Sequence, residues 1–378
     1  MLDVIIAGGG PAGSIVALVM ARAGARVLVV DRDSFPRDKL CGDTLNPGAL
    51  RLLASLGLDG GPLAPARRLR GMLISDRRRS VRAVYGGDLV GLALRRRDLD
   101  SWLLDHAVRA GARFESGWIA RHPLLDDRVG GARVHGLALE RRGGKGSPAR
   151  IPASMTVAAD GRRSAVALAL QLIAHPRRPR RWAYGTYATG IRGTSDVGEM
   201  HVRPGYYFGI APLTDSVANV CVVTGERVGR LTPLGVVRWA IRQDAALTAR
   251  FGGAEFDRVT VMGPLAVEAR AAGVDGLLLA GDAAGFVDPM TGDGLHLAMR
   301  GAVLAAAQAL RTLETGDFRG AAARLAIERR AWLGAKLRFN RTIRALVGSR
   351  AAVEIAGAGA AVAPGWLHRV VRYAGDAR

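Results

Sequence analysis

The sequence predicts an α/β fold. A parallel sheet with helices forms the main module, a mostly antiparallel β-sheet is inserted into it, and a helical region follows at the C-terminal end. Three observations predict this. Residues 2–7 form an apolar run closed by a glycine turn, a small-residue helical stretch and a second apolar run, all within the first 31 residues. Residues 182–191 and 217–224 alternate apolar and polar, as strands of a half-exposed sheet do. Residues 276–280 are again a short apolar run with a glycine-rich stretch behind it, so the chain returns to the first sheet.

Each element follows from its residues. The run 2–7 reads as a strand buried on both faces. Pro11 suits a helix start, where its missing N–H does no harm, and Gly24 suits the stop after residues 14–23. Residues 27–30 make the second parallel strand, ending at Asp31. A loop over 34–50 leads to a short helix near 47–56, and short strands separated by arginine and glycine fill 69–94. Residues 98–110 form an amphipathic helix, with Leu99, Trp102, Leu103 and Ala107 on one face. Strands continue to Val157, with a polar hairpin tip at 143–147. The expected division is 1–70, 95–170 and 271–315 for the Rossmann-like module, 71–94 and 171–270 for the inserted substrate module, and 316–378 for the helical region.

Bulk properties narrow the function. The chain has 378 residues, 49% of them hydrophobic, which suffices for two domains. No run of about 18 apolar residues occurs, and Asp3 stands where a signal peptide would carry positive charge. Cys41 and Cys221 are the 2 cysteines, so a reducing, cytoplasmic setting is expected, with membrane association left open. The 7 histidines are scattered and no CxxC or HExxH pattern occurs, so no metal is expected. The net charge is +21, nearly all from arginine. Its runs at 77–79, 95–97 and 177–181 lack interleaved aromatics, which argues against nucleic acid. They read as solvated faces or as attraction to an acidic carrier protein, an anionic membrane surface or an anionic substrate.

Two glycine patterns carry the chemistry. Gly8-x-Gly10-x-x-Gly13 permits a tight turn, close approach of backbone to a pyrophosphate and close helix–strand packing. Asp31 at the end of the next strand can accept from a ribose diol. The second pattern runs from Gly281-Asp282 to Gly292-Asp293-Gly294, before a helix expected at 295–310. Asp282 can accept from a ribityl chain, and a helix N-terminus favours the negative charge of a reduced flavin. Together the two patterns describe the ends of one FAD molecule.

At this point the chain resembles the single-component flavoproteins of the aromatic-hydroxylase fold (group A flavin monooxygenases), and within them the geranylgeranyl-reductase-like branch. The likeness rests on Lys39-Leu40-Cys41-Gly42-Asp43 with Pro47, on Ala159-Asp160-Gly161-Arg162-Arg163-Ser164, and on Gly281 through Gly294. Arg97-Asp98-Leu99-Asp100 is similar to the family's Arg-x-x-Phe-Asp, with leucine for phenylalanine and one residue fewer. It spans most of 1–310. The resemblance implies that Gly8, Gly10, Gly13 and Asp31 serve the ADP half of FAD, with Pro11, Ala12 and Arg32 as neighbouring cofactor-binding candidates. Arg97 and Asp282 would serve the pyrophosphate and ribityl region, and Gly292, Asp293 and Gly294 would approach the ring; Lys39, Cys41, Gly281 and Leu295 are further cofactor-binding candidates. Asp160 would lie near both FAD and a transient NAD(P)H path.

Flavin-dependent halogenases share this fold, with a Trp-x-Trp-x-Ile-Pro stretch and a catalytic lysine. Here residues 205–212 contain no tryptophan, and no lysine lies between Lys39 and Lys145, which argues against halogenation. A non-redox lipid carrier on a related fold is disfavoured by Asp282 and the full glycine set. The expected activity is an NAD(P)H-using monooxygenase of an apolar or aromatic substrate, first by analogy with what is commoner on this fold. Reduction of prenyl or other carbon–carbon double bonds is the rival, on the pattern at 39–42. Candidate catalytic residues are Cys41, His296 and Asp293. Each has a plainer reading, as a packed small hydrophobe, a packing histidine and a helix cap. Tyr206, Tyr207, Phe208 and Pro289 are the candidate substrate wall.

Overall fold

The computed structural model of the chain describes residues 1–76, 78–126, 133–144, 147–177, 180–225, 227–347 and 364–377. Parts of four features noted in the sequence, the arginine runs 77–79 and 177–181, the tip at 143–147 and the helical region 316–378, lie outside the described residues.

The parallel sheet is ordered Leu277–Leu279, Ala149–Ala158, Leu2–Ala7, Val27–Asp31, Arg113–Ser116. The first strand of the chain is thus its centre, with Ile6 facing Val157 on one side and Val29 on the other. Its apolar run is continuous because both faces are covered. Val4 and Ile6 pack toward the helices, and Ile5 and Ala7 toward the opposite layer. On the helical side, Pro11–Arg22 packs between Gly294–Thr315 and Arg96–Arg109. The helix Gly294–Thr315 runs further than residues 295–310 and stops at Gly316, which has the left-handed φ of +71°.

The inserted sheet contains Trp182–Thr189, Val217–Thr224, Tyr206–Pro212, Gly198–Arg203, Gly71–Ser75 and Ser80–Val84 in that order. It is antiparallel except where Gly198–Arg203 runs parallel to Gly71–Ser75. The expectation of a half-exposed sheet is corrected here, since its central strands are buried almost throughout. One face looks toward the parallel module. The other is covered by the helices Pro233–Arg242 and Ala245–Phe251, which pack on Phe208, Val220 and Val222.

The long helix Phe318–Val347 lies against Gly294–Thr315, and Pro364–Ala374 docks Leu367 and Val371 on Ala83 and Tyr85. Among the described residues, no helix is long and apolar enough to cross a membrane.

Candidate flavin site

Two helix N-termini open on one cavity. Pro11–Arg22 starts after Gly10 and Gly294–Thr315 after Asp293, and in neither does a side chain cap the first turn. Gly10, Pro11 and Ala12 line this cavity, and so do Gly281, Asp282, Gly292, Gly294 and Leu295. Each uncapped end presents partial positive charge and backbone donors to whatever lies there.

The glycines at the first turn are required by space. A Cβ on Gly13 would stand 1.8 Å from the Gly8 carbonyl oxygen, and one on Gly8 2.6 Å from that of Ala159. Asp31 fastens this turn to the neighbouring strand, its Oδ2 accepting from the Gly9 N–H at 2.8 Å. Its Oδ1 accepts from the Asp33 N–H at 2.9 Å, and the buried side chain does not line the cavity. Arg32 is exposed and paired with Asp33 at 3.5 Å, away from the cavity.

Cationic side chains gather beside the turn. Arg96 forks onto Asp100, Nε and Nη2 donating at 2.7 and 2.8 Å. Arg37 reaches the same carboxylate at 3.3 Å, and its Nη2 stands 3.5 Å from where a Gly10 Cβ would be. Arg96 lines the cavity and Arg97 does not, which corrects the choice of arginine. Arg96 and Asp100 are four apart on one helix and share a face. With Arg96, the spacing matches the family's Arg-x-x-Phe-Asp without the missing residue. Lys39 also lines the cavity, its pKa pulled down by burial and by Arg96, against Asp282.

Cys41 is on the cavity wall, and burial pushes its thiol pKa up. Next to it Asp43 holds a left-handed φ of +52° and is 1% exposed. Tyr187 Oη donates to Asp43 Oδ2 at 2.7 Å and Asn219 Nδ2 to the same atom at 3.0 Å. Burial raises the Asp43 pKa to about 6, against those two bonds. Asn219 lines the cavity as well.

The aromatic triplet splits. Tyr207 lines the cavity, and its hydroxyl donates to Asp288 Oδ1 at 2.8 Å while Arg181 holds Oδ2 at 3.0 Å. Tyr206 and Phe208 point to the other face of the sheet, against Trp239 and Phe251, because neighbours on a strand alternate sides. Both are therefore removed from the substrate wall, whereas Pro289 stays on it.

Three further candidates lie behind the wall. Asp293 is 1% exposed and accepts from Thr291 Oγ1 at 2.6 Å and from Asn340 Nδ2 at 3.0 Å, and burial raises its pKa. Thr291 itself is on the wall, so Asp293 meets the cavity through that hydroxyl. His296 faces Gly48 and Asp376 instead, and burial lowers its pKa to about 4. Asp160 is half-buried, with desolvation of its carboxyl raising its pKa to about 6, while Ala159, Gly161 and Arg162 beside it reach the cavity. Arg37, Arg96, Asp43, Tyr187 and Asn219 are the site residues that sequence reasoning missed.

The family model for the FAD binding domain matches residues 1–323. Digeranylgeranylglycerophospholipid reductase 2 of Methanopyrus kandleri is 29% identical over 327 residues, covering 83% of this chain and 78% of that protein. Menaquinone reductase of Mycobacterium tuberculosis is 32% identical over 332 residues, covering 80% and 75%. Among solved structures, a flavin-dependent brominase superposes with a TM-score of 0.85 at 19% identity, over 99% of this chain and 93% of that one. A geranylgeranyl bacteriochlorophyll reductase-like protein of Thermoplasma acidophilum gives 0.77 at 20%, over 92% and 87%. At such identities these two likenesses concern the fold alone. The chain belongs to the FAD-binding-domain family and is an FAD-dependent oxidoreductase of its geranylgeranyl-reductase-like branch.

Proposed function

We propose that the chain reduces carbon–carbon double bonds in the isoprenoid chain of a lipid or quinone, with NAD(P)H as the external reductant. The observation that carries this reading is the composition of one cavity wall. The cavity that receives both helix N-termini is also lined by Leu40, Met72, Met200, Met262, Leu265 and Phe286. Unbranched methionines adapt to a long flexible hydrocarbon better than a rigid aromatic slot does. The relatives named above act, by their names, on a geranylgeranyl lipid and on menaquinone.

The residues present fit FAD. The bare turn at Gly10 beside Arg37 and Arg96 suits a diphosphate, and Asp282 suits the ribityl hydroxyls. Gly292 and Gly294 leave room for a flat ring at the second helix end. When bound, FAD supplies hydride transfer. Cys41 keeps its proton at neutral pH because burial disfavours the thiolate; were it to give that proton to a carbon at the wall, the thiolate left behind would be steadied by Arg96 and regain a proton from solvent. Tyr207, held by Asp288, gives the substrate a rigid side wall.

Anaerobic mixing of the reduced holoenzyme with a geranylgeranyl lipid or menaquinone tests this. Reoxidation of the flavin without oxygen, with saturation of the alkene, is expected. A product that gains oxygen only under air would select the monooxygenase chemistry and overturn the reductase.

A further inference from the structure

We infer that the outward face of the helix Phe318–Val347 is a docking surface for an anionic lipid bilayer. A surface helix ordinarily turns mixed charges to water. Here Ile327 is 70%, Trp332 63% and Leu346 38% exposed. Ile327, Ala331, Ala335 and Ala345 lie along one stripe of the helix with Arg330, Arg338 and Arg341, all exposed. Of the basic residues between Arg329 and Val347, Arg330, Arg338 and Arg341 are exposed while Arg329 and Lys336 turn inward, and Glu328, next to Ile327, is engaged by Gln308. Trp332 stands at the border of the stripe, with the Arg300 guanidinium 5.2 Å from its ring.

Apolar side chains interleaved with arginines, without an acid among them, match the boundary of an anionic membrane. The apolar groups enter the acyl edge and the arginine stems reach back to phosphates. A second copy of this chain would bring like charge against like charge, at +21 each. An acidic protein would meet the arginines but leave Ile327 and Leu346 without a function. The helix also ends beside the site. Arg181, which holds Asp288 and through it Tyr207, donates to the Arg344 carbonyl at 3.2 Å. The helix that carries this face is therefore tied at its end to the wall of the apolar cavity. The surface stands independently of the proposed reaction; only its role as the source of an isoprenoid lipid rests on that reading.

The test is sedimentation of the holoenzyme with phosphatidylglycerol vesicles and with phosphatidylcholine vesicles. Binding to the anionic vesicles, weakened by salt, is expected. Arg330→Gln with Arg338→Gln and Arg341→Gln should lower partitioning on the order of a hundredfold, about fivefold per cation. Ile327→Ser with Trp332→Ala should lower it at constant charge. Both variants should keep their flavin and their turnover of detergent-dispersed substrate, and lose turnover of substrate embedded in vesicles. Absence of vesicle binding, binding indifferent to both variants, or loss by the arginine variant alone, which would leave the apolar side chains of the stripe without a role, overturns the proposal. Failure of the reductase reading would instead abolish turnover in detergent and leave vesicle binding intact.

Discussion

Gly281 meets Ala12 across the cavity floor: a Cβ on Gly281 would stand 2.7 Å from the Ala12 Cβ. Residues almost 270 positions apart in sequence thus touch where two helix ends face one ligand space. Gly281 also has a φ of +61°, so a side chain there is strained as well as crowded. Gly281→Val is expected to cost about 2–3 kcal/mol. The purified variant should lose most of its flavin absorbance while its far-ultraviolet circular dichroism stays that of the parent.

Arg96 and Arg97 separate by their neighbours. Arg96→Lys gives up the two-pronged bond to Asp100, whose carboxylate is 0% exposed. About 3 kcal/mol of stability should be lost, together with flavin content. Arg97→Lys, which lies off the cavity wall, should change neither. Urea denaturation and absorbance of the two purified variants check this.

Two buried groups give stability opposite dependence on pH. Asp43 titrates at about 6 in the fold against an ordinary 3.8, so its stabilisation is present below pH 3.8 and lost as pH rises through about 6. His296 titrates at about 4 against 6.5, so its stabilisation is present above pH 6.5 and lost as pH falls through about 4. Each amounts to about 3 kcal/mol. In the wild type they partly cancel between those limits. Asp43→Asn should raise stability near neutral pH and leave His296's acid loss exposed. His296→Gln should remove the acid loss. Denaturation midpoints across this pH range measure both.

Tyr207 and Phe208 are adjacent and should behave as different kinds of residue. Tyr207→Phe leaves Asp288 with Arg181 and one bond fewer, costing about 1–2 kcal/mol, and should raise KM. Phe208→Ala opens a cavity on the opposite face, costing about 3–5 kcal/mol, with kcat/KM near that of the parent at low temperature. Steady-state kinetics beside thermal melts separate the two.

What could be read from the sequence follows from how local the determinants are. The turn at Gly8 to Gly13 is legible because strand, glycines and helix are contiguous. The strand Val217–Thr224 matches its expected bounds because a β-rich run is flanked by polar residues on one side and glycine on the other. Arg96 is missed by one position because three arginines in a row look alike, and only helical phase picks the one that shares a face with Asp100. Tyr206 and Phe208 do not belong with Tyr207 because a strand divides the triplet between its two faces. Helices Pro233–Arg242 and Ala245–Phe251 carry start signals in Thr232 and Asp244, yet the strand patterns around them mask their period. The Asp43 cluster has no local signal, since Tyr187 and Asn219 lie 144 and 176 positions away.

The most direct measurement is a pair of titrations, FAD and ADP, against apo-protein carrying Gly294→Ala. The added Cβ meets only the Phe286 ring edge at 3.5 Å, an ordinary contact, so the fold should stand. If one dinucleotide spans both helix ends, FAD affinity should fall at least about tenfold, roughly 1.4 kcal/mol, while ADP affinity stays unchanged. Equal loss for both ligands, or no loss for either, would contradict a ligand held at its ring by the helix that begins at Gly294.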